Sequence, residues 1–183
     1  VFEQRCKQVG AHLVKADFGA LHPITHGLEG QSFDCGQWKT LSLPLLGGHQ
    51  LYNAAVVLTT VELLREKGWQ ITDEAVRTGL ATVSWPGRFE LLRKEPLLIV
   101  DGGHNPQCIE ALVNNIHDYL GGRRLTVLTG VLADKEFHSM YAGVAAYASE
   151  FITVTPPNPR ALSAEDLKEY LGQFEKPVTS CDS

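Results

Sequence analysis

The ten residues Leu97 to Pro106, Leu-Leu-Ile-Val-Asp-Gly-Gly-His-Asn-Pro, constrain the fold more than any other stretch, since they set a strand, a polar turn and a helix start end to end. Leu97 to Val100 is an unbroken apolar run rich in β-branched residues, the pattern of a strand buried on both faces of a parallel sheet. Asp101 then falls at its carboxyl end. In open α/β sheets ligands bind at that edge, and Gly102 and Gly103 allow a tight turn or a close backbone approach. Asn105 is a good N-cap and Pro106 fits the first helical position, so free N–H groups lie beside Asp101 and His104. The same composition also suits a plain strand-to-helix loop, so the surrounding segments must decide.

Downstream, the pattern repeats. Arg88 to Leu92 reads as a first strand after the turn Trp85-Pro86-Gly87. A helix with the apolar stripe Ile109, Leu112, Val113, Ile116 and Leu120 stops at Gly121-Gly122. Leu125 to Val131 reads as a buried strand, Met140 to Ser149 as a helix and Phe151 to Thr155 as a third strand. Ser163 to Asp166 resembles a capping box that opens a helix to about Leu171. Alternating strands and helices imply a parallel sheet with helices on both faces. On this reading, three strand ends deliver Asp101 to Asn105, Asp134-Lys135 and Asn158 to Arg160 to one sheet edge. A carboxylate there can hold hydroxyl groups, and Arg or Lys can neutralise phosphate or carboxylate.

Upstream of a boundary placed near Ser84 the character changes. Phe2 to Val9 reads as a helix, and Ala11 to Lys15 and Ser32 to Leu46 as small strands in a mixed or antiparallel arrangement. His12, His22 and His26 lack a metal-ligand spacing and read as loop residues, with His22-Pro23 extended. Leu51, Ala54, Ala55, Leu58 and Val61 mark an amphipathic helix that stops at Gly68, with His49, Gln50 and Asn53 in its first turns. A second helix runs from Thr72 to about Val83.

With 44% apolar and 20% charged residues the chain can bury a real core. A net charge of −5 and a pI near 5.8 leave no basic footprint for nucleic acid or an anionic membrane. The four cysteines, Cys6, Cys35, Cys108 and Cys181, form no C-x-x-C pair, which fits free thiols in a reducing cytoplasm. No apolar run approaches the ~20 residues of a membrane span. The chain opens on Val1 and carries no G-x-x-x-x-G-K-[ST] phosphate loop, so it is expected to be a piece of a longer protein.

Five segments together resemble the C-terminal part of folylpolyglutamate and dihydrofolate synthases, in the Mur ligase superfamily. They are Gly48-His49-Gln50-Leu51-Tyr52-Asn53-Ala54, Trp85-Pro86-Gly87-Arg88-Phe89-Glu90, Asp101-Gly102-Gly103-His104-Asn105-Pro106, Thr129 to Lys135 and Pro159-Arg160-Ala161-Leu162. The resemblance implies an ATP-dependent ligase that activates a folate carboxylate as an acyl phosphate for attack by L-glutamate. It implies residues 1–84 as the α+β tail of a central ATP-binding domain, and 85–183 as a Rossmann-like C-terminal domain lacking its last strands. Asn53 would meet adenine, Arg88 the phosphates and Asp101 the ribose, with Arg88 and His104 as the catalytic pair. His104 would lie near glutamate, with Lys135 and Arg160 as further carboxylate holders. ATP and Mg2+ are the implied cofactors, with no metal ligand in this chain. The implied partners are folate, L-glutamate and ATP, with neither nucleic acid nor membrane, in a parent that is a monomer. The chain alone is expected to be inactive. A cell-wall Mur ligase acting on UDP-muramyl peptides, or a non-catalytic nucleotide-binding module, is the alternative, and Gly-Val-Leu-Ala-Asp-Lys favours folate.

Overall fold

The structure is a computed structural model that describes residues 1–181, and the chain divides into two compact units, Val1–Pro86 and Gly87–Ser183. The first opens on α1 (Phe2–Val9), which buries nothing and ends at Gly10, whose φ of 67° forms a left-handed cap. Residues 11–15, expected as a strand, are irregular and exposed. Neither alternate face of Ala-His-Leu-Val-Lys is consistently apolar, so no register would bury one. Strands β1 (Leu21–Gly27), β2 (Gly30–Cys35) and β3 (Trp38–Leu43) form an antiparallel sheet in that order. His22 and His26 therefore lie on an edge strand, not in loops, and Pro23 is tolerated there beside a bulge.

Against that sheet pack α2 (Gly48–Glu66) and α3 (Asp73–Thr82). Phe33, Leu41 and Leu43 from the sheet meet Leu51, Ala54, Ala55 and Leu58 of α2 and Val76 and Leu80 of α3 in one core. Trp38, also buried, has the guanidinium carbons of Arg65 and Arg77 over its ring at 5.4 and 5.8 Å from the centroid. Thr72 caps α3 by accepting a hydrogen bond from Ala75 N at 3.1 Å. Thr72→Ala is expected to cost the first unit about 1 kcal/mol, measured by urea denaturation.

In the second unit, β4 (Glu90–Lys94) and β5 (Leu97–Val100) make an antiparallel pair, followed by α4 (Pro106–Leu120). Next come β6 (Leu125–Thr129), α5 (Phe137–Ala145), β7 (Ala148–Val154), α6 (Ala164–Leu171) and β8 (Val178–Cys181). Strands β6, β7 and β8 form a parallel sheet in that order. Phe137, Tyr141 and Val144 of α5, Phe151 of β7 and Leu167 and Leu171 of α6 share its core. An α/β fold with a parallel sheet and packed helices is therefore correct.

Four local expectations are corrected. The strand before Asp101 is not buried on both faces of a parallel sheet: it pairs antiparallel with β4, and Leu98 and Val100 are 43% and 39% exposed. The first strand starts at Glu90 instead of Arg88, because Phe89 has a φ of 44°, outside the extended region. Helix α5 starts earlier and ends at Ala145, since residues 148 and 149 are claimed by β7, and strand pairing outweighs their helical propensity. Strand β6 ends at Thr129 and leaves Leu128 65% exposed, so only one of its faces is core. Strand β8 was not foreseen, because Val-Thr-Ser-Cys carries only one strongly apolar residue.

Candidate functional site

The polar turn after β5 is built around one carboxylate. Glu90 pairs with Val100 at the open end of the β4–β5 ladder, so Phe89 comes to lie against Asp101. Asp101 closes that position in place of a backbone carbonyl: Oδ2 accepts from Phe89 N at 2.9 Å and Oδ1 from Gly103 N at 2.7 Å. Gly102 N donates to Gly87 O at 2.7 Å, which ties the two loops together a second time. Gly103 is required here, since a Cβ on it would sit 2.7 Å from Asp101 Oδ1 and 3.3 Å from Cys108 Cβ. Each Asp101 oxygen keeps lone-pair capacity after its one backbone bond, so the half-buried carboxylate can still accept from a ligand hydroxyl.

Arg88 is carried by the opposing loop. Its neighbours Gly87 and Phe89 both have positive φ, 71° and 44°, and Phe89 is buried with its ring 5.7 Å from that of Tyr119. The Arg88 side chain is exposed. Asp101 and Arg88, expected on neighbouring strand ends, thus meet through the backbone of Phe89.

His104 and the helix start follow from the same turn. His104 Nδ1 lies 3.0 Å from Gly102 O, an acceptor, so that nitrogen donates, and Nε2 of the exposed side chain is left for a ligand. Asn105 caps α4 as expected, its Oδ1 accepting from Cys108 N at 2.9 Å, with Pro106 in the first turn.

The remaining candidates form separate groups. The loop after β6 and the loop after β7 are zipped by Ala133 N to Arg160 O at 2.8 Å and Leu162 N to Val131 O at 2.9 Å. Gly130 permits this closeness, because a Cβ there would meet Val154 O at 2.7 Å. Arg160 Nη1 lies 2.6 Å from Asp134 Oδ2 with both side chains about half exposed, so a ligand carboxylate reaches Arg160 by replacing Asp134. Lys135 lies beside this pair in sequence, partly buried. Among the described residues no hydrogen bond or ion pair joins these loops to the Asp101 turn, so the expected convergence on one sheet edge resolves into two clusters on two sheets.

Asn53 belongs to the first unit and is exposed on α2. Its Nδ2 donates to Oε1 of the buried Gln50 at 3.0 Å, and Gln50 Nε2 in turn lies 3.0 Å from His49 Nε2. That chain of contacts fixes the amide so that Oδ1 and one N–H face outward, a donor and acceptor pair able to read a base edge. Glu90, which received no role in the sequence reading, accepts from Gly87 N at 2.7 Å. Its three-residue spacing from Gly87 was the visible sign, the same spacing by which a capping-box acid reaches back to a backbone N–H.

Comparison with known proteins gives a consistent picture. The Mur ligase glutamate ligase domain matches residues 87–183. Folylpolyglutamate synthase of Lacticaseibacillus casei is 34% identical over 152 residues, which covers 80% of this chain and 35% of that protein. The crystal structure of folylpolyglutamate synthase from Thermotoga maritima matches with a TM-score of 0.85 at 29% identity, over 100% of this chain and 44% of that one. Folylpolyglutamate synthase from Mycobacterium tuberculosis, complexed with ADP and AMPPCP, matches with a TM-score of 0.84 at 28% identity, covering 100% of this chain and 42% of that one. The chain spans 35% of the length of the curated relative and less than half of either structure.

Proposed function

This chain belongs to the Mur ligase family through its glutamate ligase domain, and from that premise we propose that it serves an ATP-dependent ligase that adds L-glutamate to the carboxylate of a folate. The complete protein is a folylpolyglutamate synthase, with or without dihydrofolate synthase activity. In this reading residues 1–84 are the tail of its ATP-binding domain and 85–183 its C-terminal domain. It works as a monomer in the cytoplasm on folate, L-glutamate and ATP, binding neither nucleic acid nor membrane. No helix among the described residues is long and apolar enough to cross a membrane.

The observation that carries the reading is the Asp101 turn, which offers a carboxylate with spare acceptor capacity one backbone bond away from an exposed guanidinium. Those two groups suit the two ends of a nucleotide: ribose hydroxyls donate to a carboxylate, and phosphate oxygens accept from Arg. The folate carboxylate attacks the terminal phosphorus, ADP leaves, and the glutamate amine then displaces phosphate from the acyl carbon. Arg88 meets the charge that builds on the transferring phosphoryl group. Outward Nε2 of His104 accepts from the incoming amine, Asn53 reads the adenine edge, and Lys135 and Arg160 hold substrate carboxylates.

The reading also calls for Mg2+ with the nucleotide. Among the described residues no three His, Cys, Asp or Glu side chains come together as ligands, so these residues do not fit a metal site. Mass spectrometry of folate incubated with the complete protein, ATP, Mg2+ and L-glutamate is expected to show a one-glutamyl mass increase that depends on ATP. The isolated 183-residue chain should give no product. Ligation of an amino acid to a UDP-muramyl peptide, with folate untouched, would move the protein to cell-wall synthesis.

A further inference from the structure

Arg88 sits at the tip of a turn whose backbone is secured on both sides while its own side chain makes no hydrogen bond or ion pair among the described residues. Gly87 donates its N–H to Glu90 Oε2 at 2.7 Å and accepts Gly102 N–H on its carbonyl, also at 2.7 Å. Phe89 donates its N–H to Asp101 Oδ2 at 2.9 Å. Gly87 and Phe89 have φ of 71° and 44°, and the second of these is a conformation that a side chain bearing a Cβ adopts only when its surroundings impose it. Burial of the Phe89 ring and the Asp101 bond fix the far side of Arg88, while on the near side the Gly102 N–H holds the Gly87 carbonyl and Glu90 supplies the one side-chain bond, to the Gly87 amide.

The chemistry of Glu90 argues in the same direction. A carboxylate two residues from a phosphate-binding guanidinium repels the anion that the guanidinium attracts, so its charge works against the ligand. No cation pairs with it among the described residues, and its one hydrogen bond goes to Gly87 N. We propose that Glu90 is a positioning residue: with Asp101 it clasps the Gly87–Phe89 turn, so that the Arg88 guanidinium is held ready for the phosphoryl group before ATP arrives. This rests on the reading of Arg88 as the phosphate ligand. Glu90 itself touches neither substrate nor nucleotide.

A double-substitution cycle in the complete protein tests it. Glu90→Ala should lower kcat about tenfold with ATP KM nearly unchanged, since a misaimed group costs transition-state contacts. Glu90→Gln should stay within about twofold of wild type, because its amide oxygen still accepts Gly87 N–H. In an Arg88→Ala background, Glu90→Ala should cost less than about twofold more, because nothing is left to aim. A full loss in that background, or Glu90→Gln as damaging as Glu90→Ala, overturns the proposal. Should Arg88→Ala itself leave kcat unchanged, the phosphate reading of Arg88 fails, and hydrogen exchange on this chain then judges the clasp alone. Protection of the Gly87 amide lost in Glu90→Ala and kept in Glu90→Gln supports it. Unchanged protection in Glu90→Ala refutes it.

Discussion

Arg88→Ala in the complete protein is expected to lower kcat for glutamate addition by about a hundredfold to a thousandfold while ATP KM moves only a few-fold. Removing a preorganised donor from developing charge typically costs 10²–10³ in rate, because the interaction strengthens as charge moves onto the transferring group. Arg88 suits that role because its side chain is exposed while the backbone on either side of it is bonded. Little rearrangement is then needed when the nucleotide binds. Arg88→Lys should recover only part of the loss, since an ammonium lacks the planar fork that matches phosphate oxygens. Steady-state kinetics with ATP as the varied substrate decides the matter. A raised KM at unchanged kcat would make Arg88 a simple ground-state contact.

Asp101→Ala should damage both stability and catalysis. From the sequence alone this variant would be expected mainly to raise ATP KM, as loss of a ribose contact does. The structure adds a second duty. Asp101 accepts from Phe89 N and Gly103 N, and hydrogen bonds to charged groups are worth about 1.5–3 kcal/mol each, so with the carboxylate only half-buried the second unit should lose about 3 kcal/mol, the low end of the two combined. Phe89 would then be free to leave its φ of 44°, carrying Arg88 with it. A rise in ATP KM together with a fall in kcat is the expected outcome, in a variant shown by far-ultraviolet circular dichroism to remain folded. Asp101→Asn should lie between the two, since its oxygen keeps one backbone bond while its NH2 faces the other N–H. Unchanged stability and unchanged ATP kinetics in Asp101→Ala would remove both duties.

What the sequence made legible was local. Asn105 and Ser163 are helix caps and Leu97 to Val100 is a strand, because each depends on a few adjacent residues. Partner choice was not legible. An apolar run such as Leu-Leu-Ile-Val looks the same in a parallel sheet and in an antiparallel pair, and its actual partner, β4, lies only a few residues upstream. The placement of Arg88 in a turn depended on Phe89 adopting positive φ, which is rare for an aromatic residue and has no sequence signature. Asp101 could be read as a site residue, but its service to Phe89 N needs two segments brought together, and spacing along one segment does not carry that information.

The arrangement around Trp38 has a practical consequence for anyone following these variants by light. All three tryptophans, Trp38, Trp69 and Trp85, fall within the first unit, and Trp69 and Trp85 are each 62% exposed. Exposed indoles emit into water before and after melting, so a spectral shift on unfolding comes chiefly from Trp38, released from its burial beneath Arg65 and Arg77. The clasp on Arg88 lies in a unit with no indole of its own. Its loosening should therefore leave tryptophan emission little changed, since Trp85, two residues before Gly87, is already largely exposed, and backbone amides are the signal that records it.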